Sequence, residues 1–190
     1  MKKINKKKIV AIIPVKKNSI RFPKKNLKIL NGKPLFWHSI TCIINSTNID
    51  KVYVATDSQD VKKYCIKKGV KIIWRGPNKS DNEEQFFDVV KYAYATLDKS
   101  YDYVISVLAN SPQHDVKKVD EAIKMITTNK FQEIRSYNNK GEETGLFAFR
   151  SDIFKRRFEI SNHLGAIKSN SNEIHYKKEF EKLKKIIRNK

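Results

Sequence analysis

Acidic residues are scarce in this sequence: 20 Asp and Glu stand against 40 Lys and Arg over 190 residues, a formal net charge of +20. Such an imbalance favours anionic partners, though it does not decide a fold. Cysteine is nearly missing as well. Cys42 and Cys65 form no metal-spaced cluster and read as reduced packing residues in amphipathic helices. No apolar run reaches membrane-spanning length. The run Ile9 to Ile13 stops at a proline and lysines without a small-residue cleavage site, so a secretory signal is not expected and a cytoplasmic address is. Internal repeats and low-complexity linkers are absent too. With 39% apolar and 11% aromatic residues the charge does not enforce disorder, and the length fits a single domain over 1–190.

What is present begins with a strand. The β-branched run from Ile9 to Ile13 predicts a strand buried on both faces, ended by Pro14, which removes a ladder donor. Five cations follow before Asn26, namely Lys16, Lys17, Arg21, Lys24 and Lys25, with no acid among them. In an open α/β sheet, ligands bind beyond the carboxyl ends of the strands, and the loop leaving the first strand is a common phosphate site. Backbone N–H groups and cations there suit a polyanion. Charge alone is better served by a solvated basic loop.

Further along, Gly32 to Pro34 predicts a turn and Leu35 to Ile44 a helix, with Trp37 and His38 in packing roles. Lys51 to Thr56 is a second strand, and Asp57 at its end is either functional or, the favoured reading, the cap of the helix Ser58 to Lys68, which Gly69 closes. Val70 to Trp74 is a third strand. Glu83 to Asp98 and Val116 to Met125 are helices flanking a fourth strand, Tyr103 to Leu108, with Asp120 and Glu121 exposed. Leu146 to Phe149 is a strand. Lys177 to Lys190 is a basic amphipathic helix expected to pack on the sheet through Phe180, Leu183, Ile186 and Ile187. The alternation predicts an α/β fold with a mostly parallel, Rossmann-like sheet in a three-layer sandwich.

The order of residues narrows this. KKNSIRFPKKN followed by NGKPLFWHSI resembles the nucleotide-binding signature of the acylneuraminate cytidylyltransferase family, which makes CMP-sialic acid and related CMP-sugar acids. Ser19, Pro23, Lys25 and Asn26 stand in register with the family loop, while Val15 and Lys16 replace its Ala-Arg. The segment RGPNKSD resembles the family's Arg-Pro-x-x-x-Ala-x-Asp, one residue short between Arg75 and Asp81. LANSPQHD keeps Ser111 and Pro112 but has His114 where the family has Arg. ETGLFAFRSDIF places Gly145 in register with another block. SNEIHYKKEF resembles a terminal block that supplies carboxylates for magnesium; Glu173 occupies the first acidic position and His175 the second. Most of the family's middle segment, which binds the sugar acid and forms the dimer, is absent.

The resemblance implies transfer of CMP from CTP to an acidic sugar or related small acid, with release of pyrophosphate. It assigns Lys16, Asn18, Ser19, Arg21, Lys25, Asn26, Arg75 and Asp81 to the nucleotide, Lys16 and Lys25 to catalysis, and Glu173 to Mg²⁺. Neutral imidazole is a poor Mg²⁺ ligand, so His175 raises a second reading, a homologue that binds or assembles without catalysis. The net charge raises a third, a nucleic-acid-binding module, but no motif supports it. The expected partners are therefore CTP and a small acidic acceptor, with no membrane and no nucleic acid.

Overall fold

The computed structural model describes residues 7–76, 86–155 and 163–188. Seven strands form one sheet: β1 (Ile9–Val15), β4 (Lys51–Thr56), β5 (Lys71–Trp74), β6 (Tyr103–Val107), β7 (Glu133–Tyr137), β8 (Glu143–Arg150) and β9 (Leu164–Lys168). Their order is β5-β4-β1-β6-β8-β7-β9. β1 pairs in parallel with β4 and β6, and β4 with β5. β8 runs antiparallel to both β6 and β7, and β7 is parallel to β9. The expected mostly parallel α/β sheet is what forms. A separate hairpin, β2 (Ile29–Leu30) and β3 (Lys33–Pro34), turns at Asn31 and Gly32, whose φ values of 45° and 75° suit an Asn-Gly turn.

Both faces of the central strand are covered, which explains the unbroken apolar run. Ala11 and Ile13 point to a cluster built with α1 (Leu35–Ile44), α2 (Gln59–Lys67) and α4 (Val116–Thr128). Val10 and Ile12 point the other way, to α3 (Phe86–Ala95) and the rings of Phe147, Phe149 and Phe154. Fully burying a side chain such as Phe36 or Phe149 is worth about 1.5–3 kcal/mol. Cys42 and Cys65 are buried free thiols, and burial pushes each up to about 12.

Several expectations need correction. Pro14 does not end β1; it pairs in register with Ala55, and the strand runs on to Val15. The β6 ladder is already over at Ala11, so on that side the last residues of β1 are an edge, where a missing donor is tolerated. Asp120 is half-buried rather than exposed, because it accepts from Ser46 Oγ at 2.6 Å and Asn48 Nδ2 at 2.9 Å. Helix α5 (Lys177–Arg188) does not pack on the sheet. Its Phe180 and Leu183 join Phe22, Leu30, Leu35 and Ile174 in a third cluster, beneath the basic loop. Ile186 stays 45% exposed. The predicted start of the third helix, with Glu83, lies outside the described residues. Among the described residues no helix is long and apolar enough to cross a membrane.

Candidate nucleotide site

β1 sits where the chain order reverses, with β4 on one side and β6 on the other, so its carboxyl end opens into the crevice of the sheet. As the chain leaves it, three successive backbone groups are held by side chains. The Thr56 hydroxyl donates to Val15 O at 2.7 Å. Asn26 Nδ2 donates to Lys16 O at 3.0 Å, and the Lys17 N–H donates to Asp57 Oδ1 at 2.8 Å. Asp57 is only 3% exposed, and it does not cap α2 as expected. Ser58 is the cap, accepting from Val61 N at 3.4 Å, which leaves the Asp57 carboxylate to the loop.

The loop then re-enters the protein through a 3₁₀ turn, Lys25–Leu27, preceded by Lys24 at φ 52°. A left-handed lysine is uncommon. It separates two neighbouring cations: Lys24 is exposed, whereas Lys25 turns inward and its Nζ donates to Ile174 O at 2.8 Å. Burial, then repulsion from Arg21, lowers the Lys25 ammonium to about 8, against the opposing pull of Glu173 and Glu179. Lys16 and Ser19 are half-buried, and Asn18 and Arg21 are exposed, the Arg21 guanidinium lying 5.8 Å from the centre of the Tyr176 ring.

Opposite the loop runs a strap from Ser169 to Tyr176. Ile174 is its anchor: its N–H donates to Asn110 O at 2.8 Å, and its carbonyl accepts from both Asn110 Nδ2, at 3.1 Å, and Lys25. One residue thus ties the carboxyl end of β6 to the basic loop. Beside it, Glu173 Oε2 lies 3.0 Å from His175 Nε2 and 3.5 Å from Asn110 Nδ2. Glu179 accepts from the N–H groups of His175 and Tyr176 at 2.6 and 2.9 Å, fixing where α5 begins. Beyond the strap opens a cavity of about 540 Å³, with Gln113, Asn138, Ser171, Asn172, Glu173 and His175 in its wall.

His114, at the position where an arginine was the comparison, is buried. Its Nε2 donates to Thr144 O at 2.6 Å, so Nδ1 is the acceptor for Ser169 Oγ at 3.0 Å. Burial lowers it to about 4, although the Thr144 carbonyl and Asp115 oppose that shift. It is a neutral staple between β8 and the strap. Gly145, at φ 83°, lets the Leu108–Ser111 turn approach; Leu108 N donates to its carbonyl at 2.7 Å.

Of the residues picked from sequence, Lys16, Lys25 and Asn26 are bonded into this site, and Glu173 adjoins it through the strap. Arg75 is buried at the end of β5, its N–H donating to Thr56 O at 3.0 Å. Asp81 lies outside the described residues. Sequence reasoning missed Asn110, and for Asp57 it favoured the cap over a functional role. The signal for Asp57 was Thr-Asp-Ser: a serine sufficient for the cap made the aspartate available for another task.

The donor set for a cation is thin. Among the described residues no cluster of three His, Cys, Asp or Glu could hold a metal by itself. Glu173 supplies one carboxylate, and His175 has a buried Nδ1 without a partner. A hard cation that keeps several waters and shares phosphate oxygens needs only one or two carboxylates, so the site fits a metal brought with a nucleotide.

The chain is 27% identical over 145 residues to an N-acylneuraminate cytidylyltransferase of Streptococcus agalactiae, an alignment covering 75% of the chain and 35% of that relative. It thus spans about a third of the length of this relative. Among solved structures, a CMP:2-keto-3-deoxy-manno-octonic acid synthetase complexed with CTP superposes with a TM-score of 0.79 at 15% identity, over 96% of this chain and 99% of that one. A Mycobacterium tuberculosis protein in complex with manganese has a TM-score of 0.69 at 10% identity, over 94% and 98%. These structures share the fold. The sequence profile of a family described as Cytidylyltransferase matches residues 10–187, from the second residue of β1 into α5, and the chain belongs to that family.

Proposed function

We propose that the protein is a nucleotidyltransferase working as one domain in the cytoplasm, transferring CMP from CTP to a small acidic sugar or related acid. An acceptor hydroxyl oxygen attacks the α-phosphorus. The bond from that phosphorus to the oxygen bridging to the β-phosphate breaks, pyrophosphate leaves, and the hydroxyl proton passes to solvent. Most of the catalytic work is electrostatic. Lys25 and Lys16 face the triphosphate, with Ser19, Asn18 and Arg21 on the loop around it and Arg75 and Asp81 toward the nucleoside.

Asn26 has a narrower role than its type suggests. Its Nδ2 is spent on Lys16 O, and the remaining Oδ1 is buried without a partner. An acceptor oxygen cannot bind a phosphate oxygen, so Asn26 serves the nucleotide through its hold on the loop backbone at Lys16. Glu173 would hold Mg²⁺ together with phosphate oxygens; when bound, the ion offsets charge on the departing pyrophosphate. The acceptor fits the cavity of about 540 Å³ beyond the strap, where Gln113, Asn138 and Asn172 offer amides to hydroxyl groups. Glu142 and Glu143 line it as well, so the acceptor's own carboxylate turns toward Lys25 and Arg21.

The observation that carries this reading is the bond from Lys25 Nζ to Ile174 O, which sets a half-buried cation of the loop beside the Glu173 strap. The test is thermal stabilisation by nucleoside triphosphates with Mg²⁺, since a ligand of the native state raises apparent stability. CTP is expected to give a larger shift than ATP, GTP or UTP. Equal shifts with all four would leave an unspecific polyanion site. A second reading has its own observation: the His175–Glu173 contact at 3.0 Å engages the carboxylate assigned to the metal. In that case CTP binds without turnover.

A further inference from the structure

We infer that Thr56 and Asp57 are positioning residues for the phosphate loop, fixing its backbone at the exit of β1 before any nucleotide arrives. Val15 O is held by Thr56 Oγ1 and the Lys17 N–H by Asp57 Oδ1, while Asn26 holds the carbonyl of the intervening Lys16. The Lys16–Lys17 peptide is therefore gripped on both edges, its C=O by Asn26 and its N–H by Asp57. Asn26 comes from the far end of the loop, and Thr56 and Asp57 come from the end of β4. The grip closes the loop into a ring whose neck is tied to the sheet.

The grip is buried: Thr56 is 0% and Asp57 3% exposed, in contrast to Asn18 and Arg21 further along the loop. Thr56 Oγ1 also accepts from Ser58 N at 3.1 Å, so its own rotamer is fixed. A loop held in this way meets the triphosphate with its backbone already ordered, and the entropy of ordering does not subtract from affinity. The sign of the effect separates positioning from plain electrostatics. A carboxylate beside two lysines lowers the local positive potential, so charge alone predicts that removing it tightens binding of a polyanion. Positioning predicts the reverse.

The ligand arm of this inference rests on the proposed nucleotide reading; the backbone arm does not. Asp57→Ala, Asp57→Asn and Thr56→Val are compared with the parent by calorimetric titration with CTP and Mg²⁺, and by amide hydrogen exchange at Lys17 without nucleotide. Asp57→Ala is expected to bind about tenfold more weakly and to exchange Lys17 faster, since a bond to a charged acceptor is lost. Thr56→Val shares the direction. Asp57→Asn keeps an acceptor at Oδ1, and is expected to restore both readouts to within a few-fold of the parent. Tighter binding in both Asp57 variants would overturn positioning in favour of charge. Unchanged Lys17 exchange in Asp57→Ala would overturn the grip itself, whatever the nucleotide result. If the parent binds no triphosphate but Lys17 exchange accelerates, the grip stands and the nucleotide reading falls.

Discussion

The two halves of the sheet do different work. On one side of the crevice, β5, β4, β1 and β6 run parallel and present their carboxyl ends, with the basic loop, Asp57 and Arg75, to one place. On the other side the antiparallel β8 breaks the pattern, and the strap after β9 must cross back over the sheet to reach Asn110. The parallel half forms a site by topology alone, because every strand-to-helix turn opens at the same edge. The other half forms one by side-chain staples such as His114 and by close approach at Gly145. Local perturbations should therefore be felt more in stability on the β8 side and more in ligand affinity on the β1 side.

The largest effect expected is from Gly145→Ala. A Cβ there would come within 2.8 Å of Leu108 Cδ1 and Ser111 Oγ at a positive φ, so both crowding and backbone strain oppose it. A loss of about 3 kcal/mol or more in urea unfolding is expected, against about 0.5 kcal/mol or less for an exposed change such as Lys117→Ala. A loss below about 1 kcal/mol would show that the Leu108 turn is free to move.

Next comes pH. His114 is lowered from 6.5 to about 4, so the unfolded chain takes up a proton first as pH falls. Its contribution is fully present above pH 6.5 and is lost progressively toward pH 4, by on the order of 3 kcal/mol in total. Unfolding free energies at pH 7 and 4.5 measure the slope, and His114→Gln should flatten it. An unchanged slope in that variant would assign the acid sensitivity to carboxylates elsewhere.

On the parallel side the expected changes are in affinity. Lys25→Ala should weaken CTP about tenfold or more, from loss of a charge-assisted bond of roughly 1.5–3 kcal/mol, and Lys24→Ala much less. Because Lys25 is lowered to about 8, it is charged below that pH and binding should weaken as pH rises through 8. Calorimetry at pH 7 and 9 checks both; equal affinities for the two variants would place the triphosphate elsewhere. The smallest effect sits between the halves. Pyrophosphate release with N-acetylneuraminate should be absent or slow, and His175→Asp should raise turnover of a suitable acceptor by restoring a second carboxylate. Turnover of N-acetylneuraminate by the parent at about 1 s⁻¹ or faster would remove the case for a smaller acceptor.

Legibility from sequence did not follow that divide. The helix Leu35–Ile44 and the strand Lys51–Thr56 were readable to the residue, because strong periodicity and Gly-Pro punctuation agreed. The place of a cationic loop directly after β1 was readable from the order of residues. Asp57 was read first as a cap and only second as functional, because capping a helix and holding a loop call for the same residue type, and the cap falls to Ser58. The destination of α5 was not readable: its apolar stripe shows that one face is buried, not that the cover is Phe22 and Leu30 rather than the sheet. His114 read only as a departure from the family's Arg in one dimension and is a core staple in three.

The bond between Lys25 and Ile174 joins residues 149 positions apart in the chain. During synthesis the basic loop leaves the ribosome before the strap and Phe180 that complete it. At about 5–20 residues per second, the loop waits on the order of ten seconds for its partners. On the proposed reading, nucleotide binding therefore waits for the strap, and a polypeptide stalled before it would lack that site even with its central strands in place.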